Sequence, residues 1–221
     1  MDERERAAKN PLALTEIDKK IQLVRPFAPE IHIDLIDGKF SNWKTFFDPQ
    51  PFKKYSDTIL FELHMMVDNP LQYLKPWADA GFRRFIGHIE KMPDPAEFIA
   101  QGQLVGEVGL AIDVSTPITH IKVNLDDLDC VLVMTVNAGM SGQKLIPDCL
   151  QKVRDLRKKT LIPIAVDGGI NQETIVKAAQ VGANRFIATS ALFNDEEIKK
   201  NYHHLAKVAA EHIALPPMTE L

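Results

Sequence analysis

The chain has 221 residues, 45% apolar and 25% charged, which suits a folded globular protein with one large α/β domain. A net charge of -4 and a pI near 6.0 exclude a broad nucleic-acid footprint, so an anionic ligand would need local backbone amides. The roughly 18-residue apolar stretch of a membrane span is missing, the charged opening MDERERAAKN lacks the apolar core of a secretion signal, and Cys130 and Cys149 cannot build a disulfide framework. A reducing cytoplasm, with no membrane partner and with Cys130 as a buried core thiol, is the expectation.

In chain order, residues 1–10 read as a flexible N-terminus. KNPLAL follows, with a proline and no β-branched residue, and is a poor strand. Either 12–14 is a short first strand or that strand is missing. TEIDKKIQLVRPFA reads as a helix opened by a Thr15–Asp18 capping box with Asp in place of Glu. Apolar runs at 31–35, 59–63, 84–86, 108–112, 131–136, 162–166 and 186–188 then read as strands. They are continuous rather than alternating, as in parallel strands covered on both faces.

Between them lie helical segments. LQYLKPWADAG stops at Gly81. CLQKVRDLRKKT sets Leu150, Val153 and Leu156 at helical spacing. NQETIVKAAQVG starts at a capping Asn171 and stops at Gly182. EEIKKNYHHLAKVAAEHI is a last helix before a loose tail at 215–221. Strand–helix alternation implies a parallel sheet, and the element count favours a single (β/α)8 TIM barrel domain over 1–221.

Four side chains stand where successive strands would end: His32 and Asp34 in HID, His64 in FELHMMV, and Asp167 in AVDGGI. Period-two alternation puts His32 and Asp34 on one face of their strand. One inward histidine is ordinarily a satisfied core residue, and one aspartate a turn or cap. Two of each at C-terminal strand ends, where barrel active sites sit, point instead to a divalent-metal site whose carboxylates also serve proton transfer. Asp37, in an Asp-Gly pair, reads as a turn residue. His88 either lines the pocket or caps its strand. Met65, Met66 and Met134 lie beside the proposed site; Met66 and Met134 are taken as pocket-lining, with core filling the ordinary role of a methionine there. His120, His203, His204 and His212 read as solvated surface.

Three glycine-bearing or helix-opening loops follow the last three strands: NAGMSGQK at 137–144, VDGGIN at 166–171 and ATSALF at 188–193. Such loops present unpaired N–H groups to phosphate. The candidate phosphate or substrate contacts are Gly139, Ser141, Gly142, Gln143, Gly168, Gly169, Thr189 and Ser190.

Together HIDLIDGKF, ELHMMVDNP, GHIE, GLAIDVSTP, VLVMTVNAGMSGQK, VDGGIN and GANRFIATSALF, spanning about residues 30 to 194, resemble ribulose-phosphate 3-epimerases. The resemblance implies a (β/α)8 barrel, metal ligands His32, Asp34, His64 and Asp167, and Asp34 and Asp167 as the acid/base pair. It implies inversion at C3 between D-ribulose 5-phosphate and D-xylulose 5-phosphate. Neutral imidazole ligands suit one zinc, iron, cobalt or manganese ion better than magnesium or calcium. The family habit of forming dimers or hexamers implies a homo-oligomer. Substrate-facing positions depart from the family pattern: NPLAL has no serine, Ile36 replaces a methionine, and the loop reads NAGMSGQ. These departures keep two alternatives open, an epimerase of a hexulose 6-phosphate such as allulose 6-phosphate, and a silent sugar-phosphate-binding barrel. A decarboxylase of the hexulose-phosphate-synthase type would need an Asp-x-Lys-x-x-Asp strand end, and DLIDG lacks the lysine.

Overall fold

The computed structural model describes residues 11–137 and 142–213. The expectations for residues 1–10, for Gly139 and Ser141, and for the tail at 215–221 lie outside the described residues. Helix α1 (Pro11–Val24) comes first and takes in residues 12–14, so the short first strand does not form. The physical reason is local: proline is tolerated at a helix opening, and leucine and alanine favour helix while nothing β-branched opposes it. The helix therefore opens ahead of Thr15, and the Thr15–Asp18 capping box is not what starts it. Asp18 instead accepts from the Tyr55 hydroxyl at 2.6 Å and pairs with Lys54 at 2.5 Å.

The chain divides into two compact units, Met1–Ala111 and Ile112–Leu221. The first holds β1 (Glu30–Ile36), β2 (Leu60–Met66), α2 (Leu74–Asp79), β3 (Phe82–His88), α3 (Pro95–Gln103) and nearly all of β4 (Glu107–Ile112). Its strands pair in parallel and in chain order. The register sets Asp34 opposite His64, and it lines up His32, Glu62, Arg84 and Glu107 across the four strands. Odd-numbered residues of β2 (Phe61, Leu63, Met65) are fully buried, which leaves the even-numbered Glu62, His64 and Met66 on the opposite face. An aromatic cluster supports this sheet: Phe82 stacks on Phe61 at 5.0 Å and meets Phe52 at 5.3 Å and Trp77 at 4.8 Å. Burying each such side chain contributes about 1.5–3 kcal/mol, enough to fix β2 and β3.

The second unit holds β5 (Cys130–Met134), α4 (Cys149–Arg157), β6 (Ile164–Asp167), α5 (Gln172–Gln180), β7 (Arg185–Ile187), α6 (Ser190–Phe193) and α7 (Ile198–His212). β5, β6 and β7 are parallel neighbours, and strand order follows chain order from β1 to β7. All seven expected strands form among the described residues, with ends moved by a few residues. The buried face of α4 is Cys149, Val153 and Leu156, with Cys149 rather than Leu150 continuing the stripe. Asn171 caps α5 as expected, accepting from the Glu173 and Thr174 amides while Thr174 Oγ1 accepts from the Asn171 amide. Gly81 and Gly182 follow the last residues of α2 and α5. Both cysteines are buried free thiols. No described helix is long and apolar enough to cross a membrane.

Candidate metal centre

His32 and Asp34 are two residues apart on β1 and so share a face, and the β1–β2 register brings His64 beside Asp34. His32 Nε2 lies 3.2 Å and His64 Nδ1 2.9 Å from the same carboxylate oxygen, Asp34 Oδ1. Adjacent donors on one ion, with bonds of about 2.0–2.2 Å, stand about 3.0–3.4 Å apart, so this spacing fits neighbouring ligands of a single transition metal. Within the first unit, His32, Asp34 and His64 each offer one ligand atom, and these atoms all lie within 4.8 Å of one another. The His64 side chain is fully buried, while that of Asp34 is 45% exposed, so the cluster is reachable from its Asp34 side.

Each imidazole turns its other nitrogen to a buried partner. His32 Nδ1 meets Glu62 Oε1 at 2.6 Å. His64 Nε2 meets His88 Nε2 at 2.9 Å, and His88 Nδ1 meets Glu90 Oε2 at 3.0 Å. Between two imidazole nitrogens one must donate and one accept.

Burial opposes charge on His32, but its bonds to Asp34 and Glu62 outweigh burial and raise its pKa well above the usual imidazole value. Burial likewise opposes charge on Asp34, and the two histidines overcome it and hold the carboxyl far below the ordinary range. Burial dominates at His64 and lowers it to about 4, with Asp34 opposing and His88 and His32 adding repulsion. His64 is therefore neutral at pH 7.

Asp167 is the last residue of β6, opposite Met134 of β5 and Ile187 of β7. Thr135 fixes this turn. Its backbone amide donates to the Asp167 carbonyl at 2.8 Å. Its buried hydroxyl is shared between the Asp167 and Gly168 carbonyls, at 2.8 and 2.6 Å.

A family model described as the ribulose-phosphate 3 epimerase family matches residues 12–193. The cytoplasmic isoform of ribulose-phosphate 3-epimerase from Oryza sativa subsp. japonica is 36% identical over 184 residues, which is 80% of each chain. The Bacillus subtilis ribulose-phosphate 3-epimerase is 35% identical over 183 residues, covering 77% of this chain and 82% of its own. This chain belongs to the ribulose-phosphate 3-epimerase family. That makes it an enzyme of the isomerase class. Two solved structures share the fold at low identity: KGPDC from Streptococcus mutans (TM-score 0.70, 11% identity, 91% of this chain and 94% of that one), and 3-hexulose-6-phosphate synthase from Salmonella typhimurium (TM-score 0.66, 16% identity, 90% and 94%). Likeness of that order shows the fold alone, here a (β/α) barrel lacking a usual first strand among the described residues.

The remaining sequence candidates of this epimerase-family chain fall as follows. Gly142 and Gln143 stand in the loop after β5, where the Gln143 amide donates to the Asn137 carbonyl at 2.8 Å. Gly168 and Gly169 follow β6 directly, Thr189 precedes α6, and Ser190 opens it. Met66 and Met134 are buried at the ends of β2 and β5, and Met65 is buried on the other face. His88 makes no capping bond; it is fully buried behind His64, with its ring 4.5 Å from that of Phe40. Asp37 is a turn residue, accepting from the Lys39, Phe40 and Asp68 amides. His120, His203 and His204 are exposed, whereas His212 is half-buried and bonds the Val208 carbonyl. Four residues of the surroundings escape the sequence reading: Glu62, Arg84, Glu90 and Thr135. Glu62 had a signal, because Glu-x-His in FELHMM repeats the period-two spacing of His-x-Asp in β1.

Proposed function

We propose that this chain inverts C3 of a ketose phosphate, interconverting D-ribulose 5-phosphate and D-xylulose 5-phosphate. The observation that carries the reading is the convergence of His32 Nε2 and His64 Nδ1 on one oxygen of Asp34, in a chain of the epimerase family. His32, Asp34, His64 and Asp167 would hold one divalent transition ion: zinc, iron, cobalt or manganese. Such a cation supplies Lewis-acid stabilisation of the negative charge that develops on the sugar oxygens.

The rest is work for the chain's own residues. Inversion needs a proton removed from one face of C3 and a proton returned to the other. Asp34 and Asp167 take those two roles, one as base and one as acid. His32 pulls Asp34 toward its ionised form, which readies it to accept. Buried Met66 and Met134 keep the surroundings apolar, and lower polarity strengthens each electrostatic contact. The phosphate is assigned to the loops after β5, β6 and β7, with Gly139, Ser141, Gly142, Gln143, Gly168, Gly169, Thr189 and Ser190 as candidates. The match over 12–193 supports treating 1–221 as one catalytic domain. Copies of the chain are proposed to associate, a reading supported by the partly exposed β1 and tested by sedimentation.

The test is solvent exchange at C3. Protein loaded with cobalt or zinc, incubated with D-ribulose 5-phosphate in D2O, should place deuterium at C3 and form xylulose 5-phosphate. Loaded protein that leaves C3 unlabelled would overturn the assignment.

A further inference from the structure

A charged row crosses four strands of the first unit, and the chemistry assigned to the site does not call for it. His32, Glu62, Arg84 and Glu107 sit opposite one another on β1, β2, β3 and β4. Positions of this kind in a β/α barrel are ordinarily filled by branched apolar side chains. Glu62 and Arg84 are both buried. Buried ion pairs contribute little net stability, because desolvation offsets the attraction. Their geometric effect is large. Arg84 Nε donates to Glu107 Oε2 at 2.5 Å, and its NH1 group donates to Glu30 Oε2 at 2.9 Å and to Glu62 Oε2 at 3.2 Å. A planar guanidinium tied to β1, β2 and β4 has one orientation. Glu62 is then fastened at both oxygens, Oε2 to Arg84 and Oε1 to His32 Nδ1. Its carboxylate cannot rotate without breaking one of the two bonds.

We propose that Glu62, clamped by Arg84, is a positioning residue that fixes the ring of His32. It accepts from Nδ1–H and so leaves the Nε2 lone pair as the one turned toward Asp34 and the metal. The proposal rests on reading His32 as a metal ligand. The two imidazole arms then differ, because His64 is backed by a second imidazole, His88, and His32 by a buried carboxylate. Outer partners of this kind typically change metal affinity 10- to 100-fold when they are removed.

Glu62→Gln is the informative change. An amide has one oxygen: with it turned to His32, the NH2 group faces Arg84, donor against donor. The clamp fails at one end whichever way the amide lies. Glu107→Gln is the comparison, since it alters the same network at its exposed end without touching His32. Cobalt(II) serves as probe, with affinity read by competition with a chelating dye and ligand field read from the visible d–d bands. Glu62→Gln should bind cobalt roughly 10- to 100-fold more weakly with displaced bands, while Glu107→Gln stays within about twofold of wild type. A Glu62→Gln protein with wild-type affinity and bands, whatever its melting temperature, overturns the proposal and leaves the metal reading standing. Wild-type protein that takes up no cobalt overturns both. Should Glu62→Gln fail to fold, Glu62→Asp withdraws the carboxylate from His32 by one methylene and is judged by the same two readouts.

Discussion

Replacing Gly169 by alanine should be far more damaging than the same change at Gly142, and the structure says by how much. Both glycines have left-handed backbones, with φ of +64° at Gly169 and +83° at Gly142. The conformational cost of a Cβ there is the same, about 1–2 kcal/mol. Their surroundings differ. Among the described residues a Cβ on Gly142 meets nothing within 4 Å, whereas one on Gly169 would stand 2.3 Å from the Leu145 backbone nitrogen and 3.0 Å from the Gln143 carbonyl oxygen. Those are main-chain atoms, so relief requires the loop after β5 to move, at an overpacking cost of about 1–3 kcal/mol. Gly142→Ala should therefore lose about 1–2 kcal/mol, and Gly169→Ala about 2–5 kcal/mol. Urea denaturation of both variants measures the difference. Gly169→Ala should also raise the KM for ribulose 5-phosphate, because it displaces the loop assigned to phosphate. Equal losses at the two sites would refute the close-approach argument.

Three further outcomes follow from the site. Asp34→Asn should lower turnover by about 10²- to 10⁴-fold, the usual worth of a general acid or base, and C3 exchange at the wild-type rate would remove Asp34 from that role. Thr135→Val keeps the shape but deprives the Gly168 carbonyl of its hydroxyl partner; a loss of about 1–2 kcal/mol in urea and weaker metal retention are expected, and unchanged values on both counts would contradict the role given to that hydroxyl. Chelator-treated protein should be most stable near pH 6.5. Below that, the unfolded chain protonates His64 more readily than the folded one does until about pH 4, so stability falls with pH, by about 3 kcal/mol at most for this one group. Above it, His32 with its raised pKa gives up its proton as pH climbs, and its contribution is lost. A urea midpoint that rises steadily from pH 5 to pH 9 would contradict this balance.

The strands were legible because parallel strands buried on both faces leave continuous apolar runs. The candidate ligands could be picked out because His32 and Asp34 carry their own period-two signature, and His64 and Asp167 end apolar runs. Local preference misled at Thr15, where a plausible cap sits inside a helix that begins at Pro11. Arg84 was hidden for a different reason. It opens the run at 84–86 like any strand residue, and only the register between β1, β2, β3 and β4 shows that it joins Glu30, Glu62 and Glu107. His88 was undecidable from GHIE alone, since its bond to His64 depends on strand pairing and not on sequence spacing. Thr135 shares that difficulty: its role is defined by carbonyls more than thirty positions along the chain.

X-ray absorption at the metal edge of the cobalt- or zinc-loaded protein tests the ligand assignment most directly. About one ion per chain is expected, with two imidazole nitrogens and carboxylate oxygens at about 2.0–2.2 Å, and loss of one imidazole shell in His64→Ala. An ion with no imidazole shell, or an unchanged spectrum in His64→Ala, would contradict it.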